Sequence, residues 1–387
     1  MLKPPRAIEF STTVAMNSAA LEKRARGERI FNLSAGEPIL PPHPLVVKAA
    51  VAALKQGKTL YPPVAGIMEL RRAAAEWINS TYDTRYQARQ TLVTCGGKFG
   101  IFAFFQAYLK PGDEVVMLAP YWGSYPQIVK LFGGVPRVVS TMATTGWKVQ
   151  LKQLEQLARP KARMLILNNA ANPTGVLYSR EEIKSILAWA KKNNIVVISD
   201  EVYSGLVYDG GEYASGGSFP EYRDNVIIIQ SCSKHFAMTG WRVGFVFAPE
   251  AIIKVLAMLQ SQSTTGTSSI SQWAAVAAFQ NAAEIIAPVR NAMEQRRDVL
   301  IETLEKLFGR AIAKPTSSLY AFVSLPDLGV KNNDSVTFCQ ELIDQYNIAA
   351  VPGRAFGAEG YVRLSFGAPE IELVAAITAL RGAISSF

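Results

Sequence analysis

The sequence is poor in the residues on which many enzyme classes depend. Its 387 positions hold two histidines, His43 and His235, and three cysteines, Cys95, Cys232 and Cys339. Residues so few and so widely spaced argue against a disulfide framework, a zinc or histidine-rich metal site, and serine or cysteine triads, and no metal is expected. Chemistry is left to lysine, carboxylates and tyrosine. Long apolar runs are missing as well. The longest are strand-length or are broken by Gln, Asn, Lys or Pro, so no transmembrane helix and no membrane partner are expected. The opening "MLKPPRAIEFSTT" lacks the apolar stretch of a signal peptide, from which a cytoplasmic location is expected. The formal charge of +9 is scattered, with no basic arm or dense run. It reads as solvated faces with a pull on small anions, and no nucleic-acid partner is expected.

What is present is a globular chain of 49% hydrophobic content, long enough to bury a large core and to divide into two domains. β-Branched runs occur at Thr91 to Cys95, Glu114 to Ala119, Arg137 to Ser140, Met164 to Asn168, Ile195 to Ser199, Asn225 to Gln230 and Arg242 to Ala248. Helical patterns separate most of them, such as "KFGIFAFFQAYL" and "REEIKSILAWAKKNN", the second with Ser179 as N-cap and Glu182 closing a capping box. This alternation predicts an α/β fold, a mostly parallel central sheet flanked by helices. Only a loop joins the last two runs, which permits the final strand to run antiparallel.

From Ala251 the texture is helical through to about Phe308, with a kink or break expected at Pro288. Beyond Gly309, short strands ("SLYAFVSL", "YVRLSFG") mix with helices and predict a smaller α+β domain. The expected division is 45–290 for the large domain and 291–387 for the small one, with 1–44 joining the latter.

Ligands of an open parallel sheet gather at the carboxyl ends of its strands. Three such ends carry polar clusters, "MLILN" into "NAANPTG", "IVVIS" into "DEVYSG" and "NVIIIQ" into "SCSK". Asn172, Asp200, Tyr203 and Lys234 are thereby brought towards one place. Each alone also fits an ordinary role as turn, cap or solvated loop residue. A fourth end, "TCGGKFG", opens a helix near Lys98, where backbone N–H groups and the helix's positive end suit an anion. Ser231, Ser233 and Arg242 add donors suited to phosphate. A phosphate group beside a lysine able to form an imine points to pyridoxal 5′-phosphate.

The run "SCSKHFAMTGWRVG" also resembles the cofactor-lysine signature of class I aminotransferases, the aspartate aminotransferase family of fold type I. The likeness spans nearly the whole chain, because "LSAGEP", "YPPVAGIMELR", "CGGK", "APYWGSYP", "NPTG", "SDEVYSGLVYDG", "QSTTGTSSISQWAA", "VPGRAFG" and "VRLSFG" follow in the family's order. The resemblance implies a transaminase moving an amino group from an L-amino acid, foremost L-aspartate, to 2-oxoglutarate by a ping-pong mechanism. It implies that Lys234 holds pyridoxal phosphate as an imine and then moves the substrate proton. Asp200 is to pair with the ring nitrogen, Tyr203 and Asn172 with the ring oxygen, and Trp122 is to stack on the ring. Gly97, Lys98 through its backbone, Ser231, Ser233 and Arg242 are to hold the phosphate. Tyr61 is to reach the phosphate of a second subunit, which implies a homodimer with shared sites. For the substrate, the resemblance implies Arg363 at the α-carboxylate with Gly36 beside it, and Lys98 and Thr13 at a distal carboxylate, with Trp122 and Asn172 also lining the pocket. Where the family branch often reads "GEPDFDTP", this chain has "GEPILPPHP", and "NNAANPTG" replaces "SPNNPTG". These departures fall at the mouth of the pocket. Aromatic, alanine and prephenate transamination stand as alternatives, followed by a pyridoxal-phosphate lyase or synthase, and by a non-catalytic protein of the same fold.

Overall fold

The computed structural model describes residues 9–157 and 161–384. The seven β-branched runs become seven strands of one sheet: β1 (Thr91–Thr94), β2 (Glu114–Ala119), β3 (Val135–Ser140), β4 (Ala162–Asn168), β5 (Val196–Asp200), β6 (Val226–Ser231) and β7 (Gly244–Phe247). Across the sheet they lie in the order β1-β7-β6-β5-β4-β2-β3. All neighbours are parallel except at β7, which is antiparallel to β1 and β6. The link from β6 to β7 contains only the short turn Thr239–Trp241, too little for the helical crossover that a parallel return needs.

Strands β1, β6 and β7 are buried at every position because helices cover both faces. The pleat sorts their side chains into two cores. Leu92, Val115, Met117, Ile227, Ile229 and Val246 pack on one side, while Val93, Val116, Ile228, Phe245 and Phe247 pack on the other. The capping box forms as its spacing predicts, with the Ser179 hydroxyl accepting from the Glu182 N–H and the Glu182 carboxylate accepting from the Ser179 N–H at 2.7 Å.

The expected break at Pro288 is not there. One helix, Ala282–Phe308, runs through Pro288, and the interruption falls earlier, at Asn281. Proline forfeits one backbone bond, but Ile285, Val289 and Met293 on the same helix are all buried, and that packing outweighs the local loss.

A third core joins the two ends of the chain. Phe31–Asn32 pairs in parallel with Ile348–Ala349, and Met16, Ala20, Ile30 and Leu33 pack with Leu300, Ile348, Val362 and Leu364. Strand Tyr361–Ser365 sits between Val351–Pro352 and Tyr320–Ser324 in a small antiparallel sheet. The first eight residues of the expected N-terminal stretch lie outside the described residues. Among the described residues no helix is long and apolar enough to cross a membrane.

Candidate active site

The carboxyl ends of the parallel strands converge. Asn168 at the end of β4 and Asp200 at the end of β5 are register partners, and Ser231 closes β6. They open on a cavity of about 230 Å3. Thr13, Gly36, Gly97, Lys98, Trp122, Asn172, Asp200, Tyr203, Ser231, Ser233, Lys234, Arg242 and Arg363 all line it, so the structure brings together every expected site residue but one. Tyr61 stands apart, 91% exposed, beside the segment Thr264 to Ile270.

Each wall has its own local cause. The Lys234 ammonium reaches from the turn after β6 and donates to the carbonyl of Gly36. The Ser231 hydroxyl donates to that of Ser233 at 2.8 Å. Arg242 adopts the left-handed backbone, φ 56°, and its guanidinium returns over the turn between β1 and the helix Gly97–Tyr108. Such a backbone in a residue other than glycine stores strain typical of ligand sites. Across the cavity, Arg363 donates to Asn172 Oδ1 at 3.1 Å and to the Ser34 carbonyl at 2.7 Å.

Four cationic side chains, Lys98, Lys234, Arg242 and Arg363, line the cavity against one carboxylate, Asp200. Burial pushes the Asp200 carboxyl up to about 6, against the pull of the Tyr125 hydroxyl, the Val202 N–H and the Lys234 charge. Tyr125 donates to Asp200 Oδ2 at 2.5 Å, and Asn168 holds the Asp200 carbonyl at 2.9 Å. Arg363 is 1% exposed, and its Nε has no partner among the described residues. A buried guanidinium with open donors and no carboxylate beside it is built to receive an anion. Lys98 lies at the mouth, its Nζ 4.7 Å from the centre of the Trp122 ring. Partial burial, then the charges of Arg242 and Lys234, hold it below the usual lysine range.

Residues 28–380 match the family described as aminotransferase class I and II. This chain belongs to that family. It is a pyridoxal-phosphate-dependent aminotransferase. A probable aspartate/prephenate aminotransferase of Thermus aquaticus is 39% identical over 95% of this chain and 94% of its own length. An aspartate aminotransferase of Streptomyces avermitilis is 36% identical, over 98% and 95%. The solved aspartate aminotransferase of Thermus thermophilus with maleate superimposes with a TM-score of 0.92, at 36% identity and 97% coverage of both chains.

The aminotransferase's cavity fits that cofactor. A lysine, a buried carboxylate and a nest of serine and arginine donors suit an aldehyde, a basic ring nitrogen and a phosphate in turn. The serine and arginine end of the cavity depends on Gly96, φ 82°, where a Cβ would lie 2.3 Å from Arg242 Nη2. Gly96→Ala should therefore displace the guanidinium. Equilibrium dialysis should show pyridoxal phosphate binding weakened at least about tenfold, with ~1 to 3 kcal/mol of stability lost to a positive-φ, extended backbone that only glycine adopts readily. Wild-type affinity would remove Arg242 from the phosphate site.

Lining residues that escaped the sequence reading include Asn168, Tyr125 and Tyr320. Tyr125 lies within the family-like "APYWGSYP" run, which offered a signal. Tyr320 sits in a short apolar strand that reads only as core. His235 packs against Trp77, ring centres 5.2 Å apart, and burial pushes it down to about 3, so it stays neutral. Burial likewise raises the Cys232 thiol. Glu201, next to Asp200, is buried away from the cavity. It accepts from Ser199 at 2.7 Å and from the Gly216 N–H at 2.8 Å, with its carboxyl pushed by burial up to about 7.

Proposed function

We propose that this aminotransferase moves the amino group of L-aspartate to 2-oxoglutarate in a ping-pong cycle. The observation that carries the reading is Arg363, buried, fork-shaped and without a carboxylate partner among the described residues, facing Lys234 and Asp200 in one cavity. Bound pyridoxal phosphate supplies a ring that accepts the electrons left when the substrate Cα loses its proton. Lys234 Nζ would take that proton from Cα and return it at the cofactor's C4′. Asp200 would pair with the ring nitrogen. Asn172 Oδ1 accepts from Arg363, so its Nδ2 would donate to the ring oxygen along with the Tyr203 hydroxyl. Trp122 would cover the ring, and Gly97, the Lys98 N–H, Ser231, Ser233 and Arg242 would hold the phosphate.

Arg363 pairs fork to fork with the α-carboxylate, beside Gly36. Lys98 and Thr13 meet the side-chain carboxylate, in keeping with the cavity's positive balance. Lys98→Ala should lower kcat/KM for aspartate by roughly ten- to a hundredfold, the worth of a charge-assisted contact of ~1.5 to 3 kcal/mol, and leave alanine turnover nearly unchanged. Equal losses for both would remove Lys98 from the side-chain pocket. Prephenate is a second candidate acceptor, supported by the names of relatives such as that of Thermus aquaticus.

The working unit is a homodimer in the cytoplasm, in which Tyr61 reaches the phosphate in the other subunit's site. The exposure of Leu60 at 82% and Tyr61 at 91% supports this reading. Residues 45–290 act as the cofactor domain, while 1–44 and 291–387 form the smaller one. The deciding experiment adds L-aspartate alone to the loaded enzyme and follows its visible spectrum. The band should bleach, and should return with 2-oxoglutarate. Bleaching by other donors only would refute the aspartate assignment.

A further inference from the structure

Tyr203 and Tyr320 are both buried, and their hydroxyl oxygens lie 2.8 Å apart in a hydrogen bond. The Tyr320 ring also meets Arg363, whose Cζ sits 4.1 Å from the ring centre. Its hydroxyl occupies the space left by the missing side chain at Gly36, where a Cβ would come within 2.2 Å. The Gly36 carbonyl in turn accepts from Lys234. One side chain therefore touches the tyrosine at the cofactor end, the arginine at the substrate end and the backbone that holds the lysine.

We propose that Tyr320 is a positioning residue that couples the two ends of the site, orienting Tyr203 towards the cofactor's ring oxygen and Arg363 towards the substrate carboxylate. The inference rests on the function proposed above and deepens it. Each phenol has one proton to donate. When Tyr203 gives its proton to the ring oxygen, its own oxygen can only accept, so Tyr320 must be the donor in their shared bond. A phenol that accepts a hydrogen bond is polarised into a better donor. On the other side, the ring face of Tyr320 offers its quadrupole to the guanidinium, which fixes the plane of the fork without competing for its N–H donors.

The charged and titratable groups that face this pair are Arg363 from Tyr361–Ser365, Asp200 from β5, Lys234 from the turn after β6, and Tyr125 from the helix Ser124–Leu131. Burial, followed by Tyr320 itself, raises Tyr203 well above the ordinary tyrosine range, and Arg363 opposes this. Tyr203 thus remains a neutral donor at working pH.

Two variants separate the roles. In Tyr320→Phe the ring stays and the donor goes. The weaker Tyr203 bond leaves more negative charge on the ring oxygen, which holds the proton of the cofactor–lysine linkage more tightly. The visible absorption of the loaded protein, titrated against pH, should show an apparent pKa about half a unit to one unit higher. Succinate, an unreactive dicarboxylate, should bind within about twofold of wild type, since the cation–π contact survives. In Tyr320→Leu the spectral shift should persist and the succinate Kd should rise about tenfold. A Tyr320→Phe protein that titrates like wild type, or a folded Tyr320→Leu protein that binds succinate like wild type, overturns the proposal. These outcomes are read on wild-type enzyme already shown to exchange amino groups. Absence of that exchange would instead overturn the reaction itself.

Discussion

Lys234→Ala should lose the visible absorption of the loaded enzyme and lower both half-reactions by about 10^4-fold or more, the upper range for removing a positioned acid–base group that is also the covalent anchor. The geometry makes this lysine difficult to replace. It is held from one side by the Gly36 carbonyl, and its Nζ stands 5.7 Å from the centre of the Tyr203 ring. Lys98 shares the cavity, but lies at the mouth over Trp122. Lys234→Arg separates charge from chemistry, because arginine keeps the cation and remains protonated. Single-turnover kinetics with aspartate should find the arginine variant about as impaired as the alanine one. Recovery of more than a tenth of wild-type rate would show that Lys234 serves as a counter-charge rather than as nucleophile and base.

Asp200→Asn should move stability and activity in opposite directions. In the folded protein without cofactor, burial raises the Asp200 carboxyl from 3.8 to about 6. Between those values the folded state binds a proton that the unfolded chain has released, so stability falls as pH rises through that window. The full cost, about 3 kcal/mol, is present above pH ~6. Asparagine never ionises and escapes it. The cofactor-free variant should therefore be more stable than wild type at about pH 8, by up to ~3 kcal/mol in denaturant unfolding, with no advantage below about pH 4. Activity should fall, because in the proposed reaction Asp200 would keep the ring nitrogen protonated. Removing one partner of a buried ion pair costs ~3 to 5 kcal/mol, a loss in kcat/KM between about a hundred- and a few thousandfold. Equal stability at both pH values would mean that Asp200 is solvated in the free enzyme. Full activity would place the ring nitrogen elsewhere.

Much of the fold was legible because it is written in local periodicity. Runs of Val and Ile bounded by glycine and asparagine form strands wherever helices are available to cover both faces, and all seven expected runs did so. The possible reversal of β7 followed from the shortness of the link before it. The break expected at Pro288 did not form, for the opposite reason. A proline's local penalty is visible in sequence, whereas the burial of Ile285, Val289 and Met293 that overrides it is a property of the assembled core.

The candidate site divides along the same line. Asn172, Asp200, Ser231 and Lys234 were legible because strand ends in a parallel sheet share one edge, so a polar cluster after each strand is brought to one place. Tyr125 and Tyr320 were not. Their partners, Asp200 and Tyr203, lie 75 and 117 residues away along the chain, and nothing in either segment states which side chain it will meet. By itself the sequence determined the parallel sheet, the family and the cavity's inventory of lysine, carboxylate and arginine, since these depend on residue type and short spacing. Only the tertiary structure decided that Arg363 is buried beside Tyr320 with no carboxylate partner among the described residues, and that Asp200 is desolvated enough to hold its proton to about 6. Burial and pairing are set by packing between distant segments, and a local pattern carries no record of them.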